Sequence, residues 1–285
     1  MTRTTDSGTH EADVRQGVLA ATTAYTLWGV LPLYLLLANF MAAEEMLAHR
    51  ILWSVPFGAL IITWRRQWPD VGATLVSMRR LRWLALAAAA ISINWLLYIV
   101  AVYSGNIFQA SLGYYINPLI YMVVGMVFFS DRLGPLQIAA VVLAGLGVVV
   151  LTVSGGEFPY IALTLGVTFT VYGVIRKQVA IGAMPGLFIE TVLLAPLAVA
   201  GLSWLVLSGS AVFTAADTST AQYVILFLAG PVTVVPLLLF AIGARRLTLS
   251  TVGFLQVIGP TLQFIIGWLN GEPLSPPRIV CFVLI

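Results

Sequence analysis

The chain has 285 residues, 60% of them hydrophobic and 9% charged, with a formal net charge of +3 and a mean hydropathy of +0.99. Soluble domains run at about 45–50% apolar and about 25% charged residues, so this composition excludes an ordinary soluble domain and predicts an integral membrane protein. The lone cysteine, Cys281, excludes an intrachain disulfide.

About 20 apolar residues are needed to cross a hydrocarbon core of roughly 30 Å. In chain order, the runs that meet this requirement are 16–40, 43–64, 83–104, 107–129, 134–153, 159–176, 186–207, 221–243 and 248–270. A further apolar run begins near Pro277 and stops at Ile285. The expected fold is therefore all-α and integral to the membrane, with ten transmembrane helices of which the tenth is incomplete in this chain.

Basic residues set orientation, because cytoplasmic loops collect Lys and Arg. With the N-terminus inside, Arg3, Arg15, Arg65, Arg66, Arg79, Arg80, Arg82, Arg132, Arg176, Lys177, Arg245 and Arg246 all fall on the cytoplasmic side. Arg278 falls outside and Arg50 falls within a span. The positive charge is thus accounted for by topology, and no nucleic-acid partner is expected. Trp64, Trp68 and Trp83 near the inner face and Trp204 and Trp268 near the outer fit aromatic belts at the two interfaces. The loops are short, the longest being about 208–220, so any function lies inside the helix bundle.

An internal repeat runs through the spans. AYTLWGV at 24–30 resembles TFTVYGV at 168–174, Pro56 pairs with Pro196, and 96–113 aligns without gaps on 236–253. Pro118 followed by Gly125 is echoed by Pro260 followed by Gly267. Two five-helix halves follow, 1–153 and 154–285, and five being odd, the second enters the membrane in the opposite sense. Inverted repeats of this kind are typical of secondary transporters, with a solute site near the midplane between the halves.

Several polar and aromatic residues fall at that depth. At 1.5 Å per residue, Trp28 lies about 18 Å from the inner end of its helix, with Asn94, Trp95 and Asn117 at comparable heights. Asn94 and Tyr98 share a face with Trp95 beside them; Tyr114, Asn117 and Tyr121 form a second stripe; Gln256, Pro260 and Gln263 form a third. Such stripes either line a solute cavity or hydrogen-bond between helices. Pro118 and Pro260, at matching positions, are either hinges for alternating access or static kinks. Arg50 stands deep in an apolar span, where an ionised group costs about 3 kcal/mol or more. It has three candidate roles: binding a solute carboxylate through its planar fork, joining an external gate, or acting as a structural clasp. Glu44 or Glu45, or a helix-end carbonyl, is its expected partner. Glu190, its counterpart in the second half, is a possible coupling carboxylate or a partner for neighbouring helices.

An intramembrane enzyme would need a nucleophile–base pair or a metal cluster, and the two histidines, His10 and His49, with no HExxH motif, supply neither. No enzyme activity, metal or cofactor is expected. There is no GxxxxGK[ST] loop, so no ATPase subunit is expected either. A facilitated uniporter or exchanger, or a channel-like permease, stays open beside the carrier reading.

The chain also resembles a known family. Trp28-Gly29 with Pro32 and Tyr34, Glu45 through Trp53-Ser54, Asn94-Trp95 with Tyr98, ASLGYYINPL at 110–119, Arg176-Lys177, Glu190 and the Gly253…Gln256…Pro260 segment together resemble the drug/metabolite transporter superfamily, EamA-type, RarD branch. The chain departs from that pattern at SDRL, 130–133, where the family often shows Gly-Glu-Arg-Leu, and at Val100, where it shows an aromatic residue. The resemblance implies a multi-pass bacterial inner-membrane carrier in contact with the lipid bilayer. It further implies export of amino acids, aromatic ones included, related small metabolites or toxic organic compounds. Independently of the resemblance, depth and helical spacing make Trp28, Arg50, Asn94, Trp95, Tyr98, Tyr114, Asn117, Gln256 and Gln263 the candidate substrate-binding residues.

Overall fold

A computed structural model describes residues 5–129, 132, 134–247 and 249–285. Arg3, and Ser130, Asp131 and Leu133 of the SDRL loop, lie outside the described residues. Every regular element among the described residues is helical: α1 Thr5–Gly29, α2 Leu31–Leu37, α3 Ala43–Trp64, α4 Trp68–Leu75, α5 Met78–Tyr103, α6 Ile107–Phe129, α7 Pro135–Gly155, α8 Tyr160–Gln178, α9 Ala183–Leu207, α10 Thr220–Ala244, α11 Leu249–Gln256, α12 Ile258–Leu269 and α13 Pro276–Leu284, with a 3-10 turn at Val212–Thr214.

Local chemistry sets where these helices begin and end. Ser219 opens α10 as a capping box, its hydroxyl accepting from the Gln222 N–H and the Gln222 side chain accepting from the Ser219 N–H. Glu44 and Glu45 sit in the first turn of α3, where the helix dipole favours negative charge. The chain leaves α5, α9 and α12 through Gly105, Gly209 and Gly271, each with a left-handed φ near +70° to +90° that carries little cost without a Cβ.

Among the described residues seven helices are long and apolar enough to cross a membrane: Ala12–Leu37, Ala43–Trp64, Met78–Tyr103, Ile107–Phe128, Pro135–Gly155, Ala183–Leu207 and Thr220–Ala244. The runs expected at 159–176 and 248–270 fall short of that standard. The first forms α8, which carries Arg176 and Lys177 in its last turn. The second is split at Val257 into α11 and α12, leaving a shorter apolar helix, Phe254–Leu269.

The first span is also divided, at Val30. Pro32 has no N–H to return to the carbonyl of Trp28 one turn back, so the ladder lapses there. The freed carbonyl accepts from the side-chain amide of Gln263, 3.1 Å away on α12. Pro118, by contrast, lies inside an unbroken α6.

The helices pack as a bundle in which α3 contacts α9 and α10, α5 contacts α8, α6 contacts α8 and α12, α1 contacts α10 and α12, and α7 contacts α13. Without water to drive helices together, close packing relies on small residues. A Cβ on Gly230 of α10 would stand 2.5 Å from the Trp53 carbonyl of α3, and one on Gly113 of α6 would stand 2.8 Å from the Ala162 carbonyl of α8. The two ends of the bundle differ in charge. Arg65, Arg66, Arg79, Arg80, Arg82, Arg245 and Arg246 gather at one end, where Arg246 pairs with Asp13 at 2.8 Å. At the other, Arg278 pairs with Glu157, and the Glu272 carboxylate accepts from the N–H groups of Ile107 and Phe108.

Candidate functional site

Arg50 is 4% exposed on α3, surrounded by groups from other helices. Its Nε donates to Thr233 Oγ1 of α10 at 3.1 Å, and its guanidinium carbon lies 5.0 Å from the centre of the Trp95 ring of α5. Thr233 in turn donates to the Ala229 carbonyl, which fixes the acceptor that holds the guanidinium. Tyr34, Tyr98, Tyr103 and Tyr114 stand within electrostatic reach of the same cation. Two polar atoms here have no partner: Arg50 Nη1 and the hydroxyl of Tyr98, itself 2% exposed. Buried polar groups are nearly always satisfied, so two unmet donors in one place call for an explanation.

The acidic partner expected for Arg50 is a correction. Glu45 is fully buried, but its two oxygens accept from the N–H groups of Val212 and Phe213, at 3.1 Å each. Glu45 and Arg50 are five residues apart, about 140° around the helix, so they face different neighbours. Glu45 thereby ties α3 to the loop after α9. His49 approaches the Glu45 carboxylate at 4.0 Å and packs edge-on against Phe213.

Asn94 and Asn117 both point at α8. The Asn94 amide donates to the Leu165 carbonyl and to Thr168 Oγ1, each at 2.9 Å. The Asn117 amide donates to the Gly166 carbonyl and to Thr170 Oγ1, each at 3.2 Å. They tie α5 and α6 to α8 and so hold the wall on which Tyr98 and Tyr114 stand. Trp28 lies elsewhere, packed with Tyr25 and Phe240, its carbonyl held by Gln263. Gln263 keeps an unpartnered buried Oε1, and Gln256 is half-buried at the end of α11, beside the Val257 break. Pro260 lies three residues past that break, and its carbonyl accepts from Ser111 of α6 at 2.8 Å.

Glu190 is fully buried on α9, paired with Arg176 at 3.4 Å and accepting from the Tyr172 hydroxyl at 3.3 Å. Arg176 also donates to the Gly182 carbonyl at 3.4 Å. Both cationic and phenolic partners come from α8, Tyr172 and Arg176 at i and i+4, a spacing that puts them on one stripe. Gly186 leaves the space that Arg176 fills, since a Cβ there would stand 2.0 Å from its Nη1. A run of rings joins the two charged sites: Tyr98 to Tyr114 at 5.6 Å, Tyr114 to Phe169 at 6.0 Å, and Phe169 to Tyr172 at 6.0 Å. Thr233 and Arg176 are the participants the sequence did not point to directly. Thr233 is a single hydroxyl in an apolar stretch, 183 positions from Arg50.

In sum, a cation with open donor capacity sits among aromatic rings between helices of a membrane bundle, connected to a buried ion pair nearer the basic end. Among the described residues no group of three or more His, Cys, Asp or Glu could hold a metal.

Comparison with known proteins agrees. Residues 15–153 match the EamA-like transporter family. Protein RarD of Escherichia coli (strain K12) is 40% identical over 280 residues, covering 95% of this chain and 91% of that protein. An uncharacterized transporter of Bacillus subtilis (strain 168), YojE, is 40% identical over 275 residues with the same coverage. A solved crystal structure superposes with a TM-score of 0.59 at 17% identity, covering 94% of this chain and 93% of that one, a likeness of fold alone. A multi-pass membrane protein with these relatives belongs to the EamA-like family of transporters, in its RarD branch.

Proposed function

We propose that the protein is a secondary carrier that exports amino acids and related small metabolites across the bacterial inner membrane by alternating access. The observation that carries this reading is Arg50: a guanidinium in the interior of a membrane bundle, gripped on one edge by Thr233 and on one face by Trp95, with Nη1 unpartnered and the unpartnered Tyr98 hydroxyl within its electrostatic reach. A structural clasp would use its donors; this one keeps donors in reserve, as a site for a carboxylate does. Tyr114, with Tyr98, supplies the aromatic wall, Asn94 and Asn117 set its position, and Trp28, Gln256 and Gln263 belong to the neighbourhood of the α11–α12 break with Pro260 as its hinge. Pro118 serves the same role in α6, and Glu190 couples closure at the inner end to the cycle.

The architecture proposed is two inverted five-helix halves, 1–153 and 154–285. The paired motifs support it. Gly29 seats Leu262 of α12, with a Cβ there 2.8 Å from that side chain, and Gly173, its counterpart, seats Tyr121 of α6, the counterpart of Gln263. In the same way α5 packs on α8 as α10 packs on α1. The basic end is assigned to the cytoplasm, which places the N-terminus inside.

The test is uptake of labelled amino acids and of the corresponding carboxylic acids into liposomes carrying the protein, with and without a pH gradient, alongside Arg50→Ala. Loss of saturable uptake in a folded variant is expected; saturable uptake that survives the substitution removes Arg50 from the pathway.

A further inference from the structure

We propose that the solute held at Arg50 is a monoanion: a carboxylate on an aromatic or branched apolar body, without an ammonium group beside it. This rests on Arg50 lying on the solute pathway; among the solutes proposed above it selects the related carboxylic acids over the zwitterionic amino acids.

Charge balance around Arg50 carries the inference. The guanidinium is buried, and its neighbours are a hydroxyl, an indole and neutral phenols. The carboxylates buried in the bundle are committed elsewhere. Glu45 accepts from Val212 and Phe213, Glu190 is held by Arg176 and Tyr172, and Glu272 accepts from Ile107 and Phe108. A buried cation without a counter-charge is expensive, and an anion delivered by the solute removes that cost. A zwitterion delivers the same carboxylate but brings an ammonium into the same low-dielectric space, and among the described residues no carboxylate pairs with Arg50 there.

The open atoms agree with this. Thr233 and Trp95 occupy the Nε edge and one face of the guanidinium, leaving Nη1 to donate. The Tyr98 hydroxyl, within electrostatic reach of the guanidinium, is a second unpartnered donor, and a carboxylate brings two acceptor oxygens. Beyond them the edges and faces of Trp95, Tyr98 and Tyr114 offer an apolar, ring-shaped wall.

The discriminating experiment holds the ring constant and changes only charge. The full chain, purified in detergent, is titrated with 3-phenylpropanoate, phenylalanine and phenethylamine, and binding is read as a rise in melting temperature and as intrinsic fluorescence change. 3-Phenylpropanoate is expected to bind roughly tenfold or more tighter than phenylalanine, the scale of one desolvated charge left unpaired, with the amine not binding. Tyr98→Phe, which keeps the ring, is expected to weaken the anion by roughly five- to tenfold, and Arg50→Gln to abolish it. Phenylalanine binding as tightly as the anion, in a manner lost in Arg50→Gln, overturns the monoanion assignment and leaves Arg50 on the pathway. Anion binding unchanged in Arg50→Gln, or no binding across a panel of aryl and branched-chain acids and amino acids, overturns both.

Discussion

Asn117 illustrates how a polar residue at membrane depth is assigned. Its amide has two acceptors on α8, the Gly166 carbonyl and Thr170 Oγ1, and is 2% exposed, so its donors are spent on packing. Replacing it with leucine, of similar volume, removes both bonds without opening a cavity. The expected cost is about 1 kcal/mol, the usual scale of interhelical hydrogen bonds in membranes, read by thermal or detergent denaturation. Solute affinity is expected to stay within about threefold, well under 1 kcal/mol; a large loss of affinity at unchanged stability would instead put the amide in contact with solute. The depth of Asn117 and Asn94 was legible in the sequence, whereas the choice between lining a cavity and bridging helices was not, because the bridge needs α8 to be in place. Arg50 repeats the lesson. Its burial could be read from the apolar run around it, but Thr233 and Trp95 come from two other helices, and no local spacing reveals them.

At the scale of helices, the glycines separate contacts that backbone must absorb from contacts a side chain can absorb. A methyl on Gly230 meets the Trp53 carbonyl at 2.5 Å, so α3 and α10 must move apart, and Gly230→Ala is expected to cost about 1–3 kcal/mol, as overpacking does. Thr233 lies one turn along α10, so the same substitution is expected to disturb the grip on Arg50. Gly145 on α7 has nothing within 4 Å of an added Cβ, and Gly145→Ala is expected to leave stability unchanged or slightly raised. Melting temperatures of the two variants check the contrast, and equal values would show that the α3–α10 approach is soft. Among the described residues seven of the spans were plain from length and hydropathy. The breaks at Val30 and Val257 were not, because an apolar run reads as one helix whether or not its ladder is continuous. Pro32 was the visible cause of the first; Pro260, which has no N–H to return to the Gln256 carbonyl one turn back, stands three residues past the second.

For the whole molecule, the two charged clusters divide the path. Arg50 is open, while Arg176 and Glu190 close on one another with Tyr172, nearer the basic end, and Tyr114 and Phe169 stand between. The charge asymmetry of the two ends was legible from the arginines alone. The ion pair was hidden because Arg176 reads as one more basic residue at a helix end, and only the fold brings it 3.4 Å from Glu190. If the pair is a closure rather than a fixed brace, breaking it must admit water-borne reagents from that end. In a chain with Cys281→Ser and a reporter Phe169→Cys, a membrane-impermeant thiol reagent applied to the basic side is expected to label slowly. Adding Arg176→Gln is expected to raise the rate several-fold, because a neutral amide beside Glu190 leaves its carboxylate to seek water. Glu190→Gln is expected to do the same, and saturating solute to alter both rates. Labelling from the opposite side serves as the control: a rise there of equal size would mean general loosening. An unchanged rate from the basic side, with folding intact, would make Arg176–Glu190 a brace and move the inner closure to Tyr121 against Gly173, where the phenol fills the space a Cβ would take.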